Sequence, residues 1–168
     1  MGVADDGERG RGSIGAEVAS AQMTIRSYEV TARSSAPPED VFELLADATS
    51  WPRWAGPVIA HGSWERDGDR ATGAVGAIRK LGRWPMFSRE QIVVSEAPSH
   101  HAYTMLSGNP VRQYRADVVL APDGDGTFIA WSATFEPRIP GTGRLLERLY
   151  RTLVGSFARR LAAYAERH

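Results

Sequence analysis

The sequence predicts an α+β domain in which a curved antiparallel sheet of about seven strands wraps around one long C-terminal helix, with two short helices after the first strand. Two observations carry this. From about Thr142 to Glu166, Leu146, Leu149, Tyr150, Leu153, Phe157, Leu161 and Tyr164 recur at spacings of three and four, an apolar stripe on one helical face. Nearly everything between Val58 and Pro137 falls into short alternating segments separated by Gly-, Pro- and Asp-rich turns. A stripe of that length must be buried, and the preceding strands are the large partner available. A sheet closed over one helix leaves a space between them, where function is expected.

Each element has its own justification. Residues 1–22 are rich in Gly, Ala, Ser, Asp and Glu with few large apolar residues, so they are expected to be a disordered leader. No apolar core of a secretory signal lies within them. Met23 directly precedes the first strand and is an alternative start, so the domain is drawn as 23–168. Ile25 to Ser34 reads as the first strand. Pro37 and Pro38 open a helix where a missing N–H costs little, Glu39 and Asp40 suit its positive end, and Val41, Phe42, Leu44 and Leu45 supply its buried side. Asp47 to Ala55 follows as a second short helix or turn around Trp51-Pro52-Arg53-Trp54.

The later strands are expected at Val58–Arg66, Gly73–Lys80, Phe87–Ser95, His100–Ser107, Val111–Ala121 and Thr127–Pro137. Segments joined this closely pair as antiparallel neighbours. Alternation then sorts their side chains. Ile129, Trp131, Ala133 and Phe135 share the bulkier face of the last strand, and Tyr114, Ala116, Val118 and Leu120 that of the strand before it, so both sets are assigned inward. Ser88, Glu90, Ile92 and Val94 share a face, with a carboxylate beside an apolar row. An inward Glu90 needs a partner, and Arg79 is the natural one. The pair is either a structural ion pair or a ligand-contacting polar cluster.

Composition excludes several function classes. Formal net charge is zero, so bulk electrostatics offers nothing to nucleic acid. The absence of cysteine removes disulfides, thiolate metal sites and cysteine catalysis, and fits a cytoplasmic protein. No apolar run is long enough for stable membrane insertion. His61, His100, His101 and His168 have no metal-ligand spacing, and neither metal nor cofactor is expected. His101 shares parity with Tyr103 and so is a candidate proton-transfer group, against the plainer reading of a surface histidine at a strand end. Asp123-Gly124-Asp125-Gly126 is a hairpin turn, without the remaining ligands of a calcium loop. Lys80 is the only lysine. Arg144, Arg148, Arg151, Arg159, Arg160 and Arg167 crowd the last helix against Glu147 and Glu166, either as a solvated face or as a surface for acidic lipid or an acidic partner.

The order of elements, with Ala36-Pro37-Pro38-Glu39-Asp40-Val41-Phe42, Trp51-Pro52-Arg53-Trp54, Gly76-Ala77-Ile78-Arg79, Ser107-Gly108-Asn109-Pro110-Val111-Arg112-Gln113-Tyr114 and Gly126-Thr127-Phe128-Ile129-Ala130-Trp131, resembles the helix-grip fold of the START-like superfamily (SRPBCC), in particular its bacterial polyketide cyclase/dehydrase-like members. The resemblance runs from about Thr24 to the end. It implies a cavity between sheet and helix that takes a hydrophobic small molecule such as a polyketide or lipid. It also matches Arg79, Glu90 and Tyr114 to polar pocket positions of plant abscisic-acid receptors, Leu81–Met86 to their gate loop and Gly108–Arg112 to their latch. The receptor's own gate sequence and carboxylate-binding lysine are not reproduced, so a hormone receptor is not expected.

The expected ligand-contacting residues are Arg79, Trp84, Met86, Glu90, Ile92, Tyr103, Met105, Tyr114, Trp131, Phe135, Leu153 and Phe157. Three functions are compatible with them: binding, transport or sequestration of an apolar molecule; a cyclase/dehydratase-type enzyme using Glu90, Tyr114 or His101 for proton transfer; and a co-chaperone-like interaction protein. A barrel filled by its own side chains is the competing possibility. Oligomeric state is open.

Overall fold

The computed structural model describes residues 24–68 and 73–168; the leader 1–22 and the alternative start at Met23 lie outside them. The elements run β1 (Arg26–Ser34), α1 (Pro38–Ala46), a 3₁₀ turn (Ala48–Ser50) leading into α2 (Trp51–Trp54), β2 (His61–Arg66), β3 (Ile78–Arg83), β4 (Met86–Glu96), β5 (His100–Ser107), β6 (Val111–Asp123), β7 (Gly126–Pro137) and α3 (Gly143–Ala165). All seven strands form one antiparallel sheet in the order β1-β7-β6-β5-β4-β3-β2. Every neighbour except the β1–β7 pair is consecutive in sequence. The exception arises because α1, the 3₁₀ turn and α2 carry the chain from β1 across to the opposite edge.

Local chemistry explains the boundaries. Pro38 stands in the first turn of α1, where its missing N–H breaks no helical bond, with Glu39 and Asp40 beside it. Asp47 stops α1 and caps the next turn by accepting the Thr49 N–H at 2.9 Å. Trp51 and Trp54 pack on each other at 4.5 Å between ring centroids, with the Trp51 indole N–H donating to Leu45 O.

The core lies between the concave face of the sheet and α3. The inward sets assigned to β6 and β7 are buried throughout. Four expectations need correction. Residues 58–60 are not strand, and β2 begins only at His61. Residues 73–77 are not strand: Gly76 takes a φ of 89°, and β3 begins only at Ile78. β3 then continues to Arg83, so the expected gate-position loop is a tight hairpin around Trp84-Pro85. In β4 a bulge between Ile92 and Val94 breaks the alternation, so Ile92 pairs with inward Tyr103 and Val94 with Ala102 on the other face.

The helix face is rotated slightly from the stripe read in the sequence. Leu149 is 57% exposed, whereas Val154, Ala158, Ala162 and Ala165 are buried. Small residues let the C-terminal half of α3 lie close to β1, with Gly155 facing Val30. The middle of α3, from Tyr150 to Phe157, leaves room between itself and β3 to β6.

Candidate ligand cavity between sheet and helix

That room is a cavity of about 630 Å³. Its floor is built from inward residues of β3 to β6, including Leu81, Glu90, Tyr103, Met105 and Tyr114. Its roof is one face of α3, Tyr150, Leu153, Val154 and Phe157, and Trp51 of α2 closes one side. The rim is made of Pro57-Val58-Ile59, the β3–β4 hairpin and Gly108-Asn109-Pro110. The two glycines of the rim have structural reasons. Gly82 (φ 145°) and Gly108 (φ 91°) adopt conformations that side-chain-bearing residues avoid. A Cβ on Gly108 would lie 2.0 Å from Phe87 O, so only glycine lets these two segments touch.

The polar groups sit at the floor. Arg79 and Glu90 are directly paired across β3 and β4, with Arg79 Nε donating to Glu90 Oε2 at 2.8 Å. The side chains are 0% and 5% exposed. Arg79 also donates from Nη1 to Leu45 O at 3.2 Å, and its guanidinium carbon lies 4.6 Å and 4.7 Å from the ring centroids of Trp51 and Tyr103. The second Glu90 oxygen accepts from Ser88 Oγ at 3.2 Å. The carboxylate is therefore fully engaged, as a buried charge requires.

Tyr114 is the second polar feature. In β6 the register shifts between Arg112 and Arg115, and Gln113 sits in the left-handed region with φ 49°. Tyr114, just beyond this bulge, keeps the inward parity of Ala116, Val118 and Leu120, and its hydroxyl meets that of Tyr28 at 2.6 Å. Burial is the main cause that pushes the Tyr28, Tyr103 and Tyr114 hydroxyls well above the ordinary phenol range. Burial also raises Tyr150, to about 12. At neutral pH all four are protonated and serve as hydrogen-bonding groups, not as phenolates.

Eight of the twelve residues expected to contact a ligand line this cavity: Trp84, Met86, Glu90, Tyr103, Met105, Tyr114, Leu153 and Phe157. The other four face the interior but are covered. Arg79 lies behind Glu90. Ile92 is the next inward position of β4, below Glu90 and fully buried. Trp131 is covered by Trp51 and Phe157, at 6.1 Å and 6.5 Å between centroids. Phe135 is covered by Tyr114 and Tyr150, at 6.5 Å and 5.4 Å. The barrel is thus filled at one end and hollow at the other.

His101 is also displaced from both readings of it. It is fully buried rather than at the surface, and it packs edge-on against Phe42, away from the cavity. Burial, aided by the charge of Arg79, lowers its pKa to about 3, so it is neutral. Trp51, Ile59, Tyr150 and Val154 also line the cavity, although none of them was among the expected ligand contacts. For Tyr150 and Val154 the spacing of four, continuing to Ala158 and Ala162, was the available signal.

A second concavity of about 680 Å³ lies outside α1, bordered by Glu39, Phe42, Glu43, Asp47 and Trp64. It holds none of the buried polar pairs. The sheet–helix cavity is therefore the candidate site. Among the described residues no group of three or more His, Asp or Glu side chains is arranged to hold a metal ion, and no helix is long and apolar enough to cross a membrane.

Comparisons with known proteins agree with this architecture. A START superfamily protein from Mycobacterium smegmatis superposes with a TM-score of 0.72 at 14% identity, over 84% of this chain and 97% of the other. A solution structure from Thermobifida fusca gives a TM-score of 0.67 at 27% identity, covering 84% and 91%. A point mutant of norcoclaurine synthase from Thalictrum, in complex with a transition-state analogue, gives 0.67 at 16% identity, covering 86% and 96%. No curated protein sequence matches the chain significantly. The fold is the helix-grip fold of the START-like superfamily. Because the model of the family described as polyketide cyclase / dehydrase and lipid transport matches residues 26–166, the chain belongs to that family.

Proposed function

We propose that the protein binds a hydrophobic small molecule, such as a polyketide or lipid, between its sheet and α3, and carries or sequesters it in the cytoplasm. The observation that supports this most directly is an open cavity of about 630 Å³ with largely aromatic and aliphatic walls and a small polar group at its floor. That is the composition of a small-molecule site. Apolar burial supplies most of the affinity, at about 25 cal/mol per Å² removed from water, less the cost of ordering. Glu90 and Tyr114 orient the polar end of the ligand. Arg79 positions Glu90.

A solvatochromic apolar probe tests the reading. Binding in the wild type, with loss in Leu153→Trp, supports it. A probe ignored by a folded wild type sinks it. Native mass spectrometry of the protein from its own host, followed by organic extraction, then identifies the ligand class.

A second reading is a cyclase- or dehydratase-type enzyme. It is favoured by one feature: Glu90 and the protonated Tyr114 open onto the same cavity. It requires turnover that Glu90→Gln abolishes while binding is kept. A carrier shows altered affinity and no turnover in any variant. The engagement of both Glu90 oxygens with Ser88 and Arg79 favours the carrier.

A further inference from the structure

A surface concavity between the start of β1 and the outer side of α3 is lined by charged side chains alone. It measures about 410 Å³, and its walls are Arg26, Arg144, Glu147, Arg148 and Arg151. Positions 144, 147, 148 and 151 are three and four apart, so they stand one above another on a single helical face. The roof residues Tyr150, Leu153, Val154 and Phe157 occupy another face, and this hollow shares no residue with the sheet–helix cavity. Arg26 reaches the helix from β1 because α3 begins at a glycine. A Cβ on Gly143 would lie 2.9 Å from Arg26 Nε.

Four guanidinium groups against one carboxylate leave an excess of three positive charges, in a chain whose formal net charge is zero. On the sheet, by contrast, arginines are matched with carboxylates: Arg33 with Asp123, Arg79 with Glu90, Arg89 with Glu65 and Arg115 with Asp117. In the concavity Glu147 is shared, 3.3 Å from Arg151 and 3.9 Å from Arg26. Among the described residues neither Arg144 nor Arg148 has a carboxylate partner. Arg26 Nε is buried without a hydrogen-bond partner. The first turn of α3 supplies no acidic residue either. Like charges at this spacing repel, and at Arg144 the positive end of the helix dipole adds to the repulsion. An anion seated among them removes that cost.

We propose that this concavity is an anion site that takes a small soluble polyanion of the pyrophosphate class. Guanidinium forks hold phosphate oxygens in pairs, and several forks around one hollow favour an anion of more than one charge. Glu147 competes with that ligand for Arg26 and Arg151. The inference does not rest on the carrier reading, because the two sites are lined by different residues.

Isothermal titration of the full chain with inorganic pyrophosphate tests it, at a constant ionic strength of about 0.15 M where long-range attraction is screened. The expected result is saturable binding, weakened about ten-fold or more in Arg144→Gln with Arg148→Gln and strengthened several-fold in Glu147→Gln. Arg159→Gln with Arg160→Gln removes the same charge from the C-terminal half of α3 and should leave binding unchanged. Apolar-probe binding should persist in every variant. No pyrophosphate binding by the folded wild type overturns the proposal. Equal weakening by the two double variants also overturns it, as an effect of bulk charge, and so does a Glu147→Gln protein that binds no more tightly. A wild type that ignores pyrophosphate, yet is captured by phosphatidylglycerol vesicles through Arg144 and Arg148, overturns it too, since the phosphate is then a lipid headgroup's. Failure of the apolar probe alone removes the carrier reading and leaves pyrophosphate binding to decide this site.

Discussion

Arg79 and Glu90 face each other across β3 and β4 with 2.8 Å between Nε and Oε2, and the guanidinium lies between the rings of Trp51 and Tyr103. The pair does two jobs. It pairs two opposite charges inside an apolar barrel, leaving Arg79 Nη2 without a partner, and it fixes the carboxylate that reaches the cavity floor. Removing one member leaves the other charged and buried, which is worse than removing both. Arg79→Met and Glu90→Leu are each expected to cost about 3–5 kcal/mol in urea unfolding, and the double variant less than the sum. Additive losses would mean that the two charges are not coupled.

The Tyr28–Tyr114 contact makes a second, milder prediction. Tyr114→Phe removes one hydroxyl of a 2.6 Å pair without changing the ring packing against Phe135 and Tyr150. The expected loss of stability is about 1 kcal/mol. An apolar probe carrying a carbonyl should bind several-fold more weakly, while a pure hydrocarbon probe is unaffected. Equal weakening of both probes would show a packing effect instead of a lost hydrogen bond.

His101 predicts an acid sensitivity. Its pKa falls from an ordinary 6.5 to about 3 in the folded state, through burial first and the Arg79 charge second. Between those values the unfolded chain binds one more proton at this residue. Stability therefore rises with pH across that window and is flat above it, with a slope of at most about 1.4 kcal/mol per pH unit from this group. Chemical denaturation from pH 4 to 7 measures the slope, and His101→Phe, which keeps the edge contact with Phe42, should reduce it. An unchanged slope in that variant would mean that His101 already binds a proton in the folded protein.

Cavity filling separates binding from folding. Leu153 is half-buried and lines the roof, so a tryptophan there occupies ligand space without disturbing the packed end of the barrel. Leu153→Trp is expected to lower apolar-probe affinity about ten-fold or more while the unfolding midpoint moves little. A destabilised variant that still binds the probe would place the probe elsewhere.

Gly108 ties the rim together. With φ at 91° and Phe87 O only 2.0 Å from where a Cβ would sit, Gly108→Ala must push the loop away from the hairpin. The expected outcome is faster release of a bound probe in stopped-flow measurement, with a stability loss of about 1–3 kcal/mol. An unaltered release rate would show that this contact does not govern the opening.

Most of the element pattern was legible because it is local. The period of the stripe marked α3, alternation sorted β6 and β7 into inward and outward faces, and the turn residues separated the strands. Even the Arg79–Glu90 pair followed from parity and the cost of an unpaired inward carboxylate. The errors share one origin. The bulge after Ile92 and the φ of Gly76 are single-residue departures that no period reports. The phase of α3, which exposes Leu149 and buries Val154, depends on how closely Gly155 and its small neighbours approach β1.

The sequence by itself therefore determined which residues face the interior and which charges needed a partner. Only the tertiary structure decided which of those inward residues meet empty space. Glu90, Tyr114 and Phe157 reach the cavity, whereas Ile92, Trp131 and Phe135 lie beneath other rings. Depth inside a barrel is set by the register of strands far apart in sequence and by the tilt of a helix over them, and both are long-range packing outcomes that no local pattern encodes.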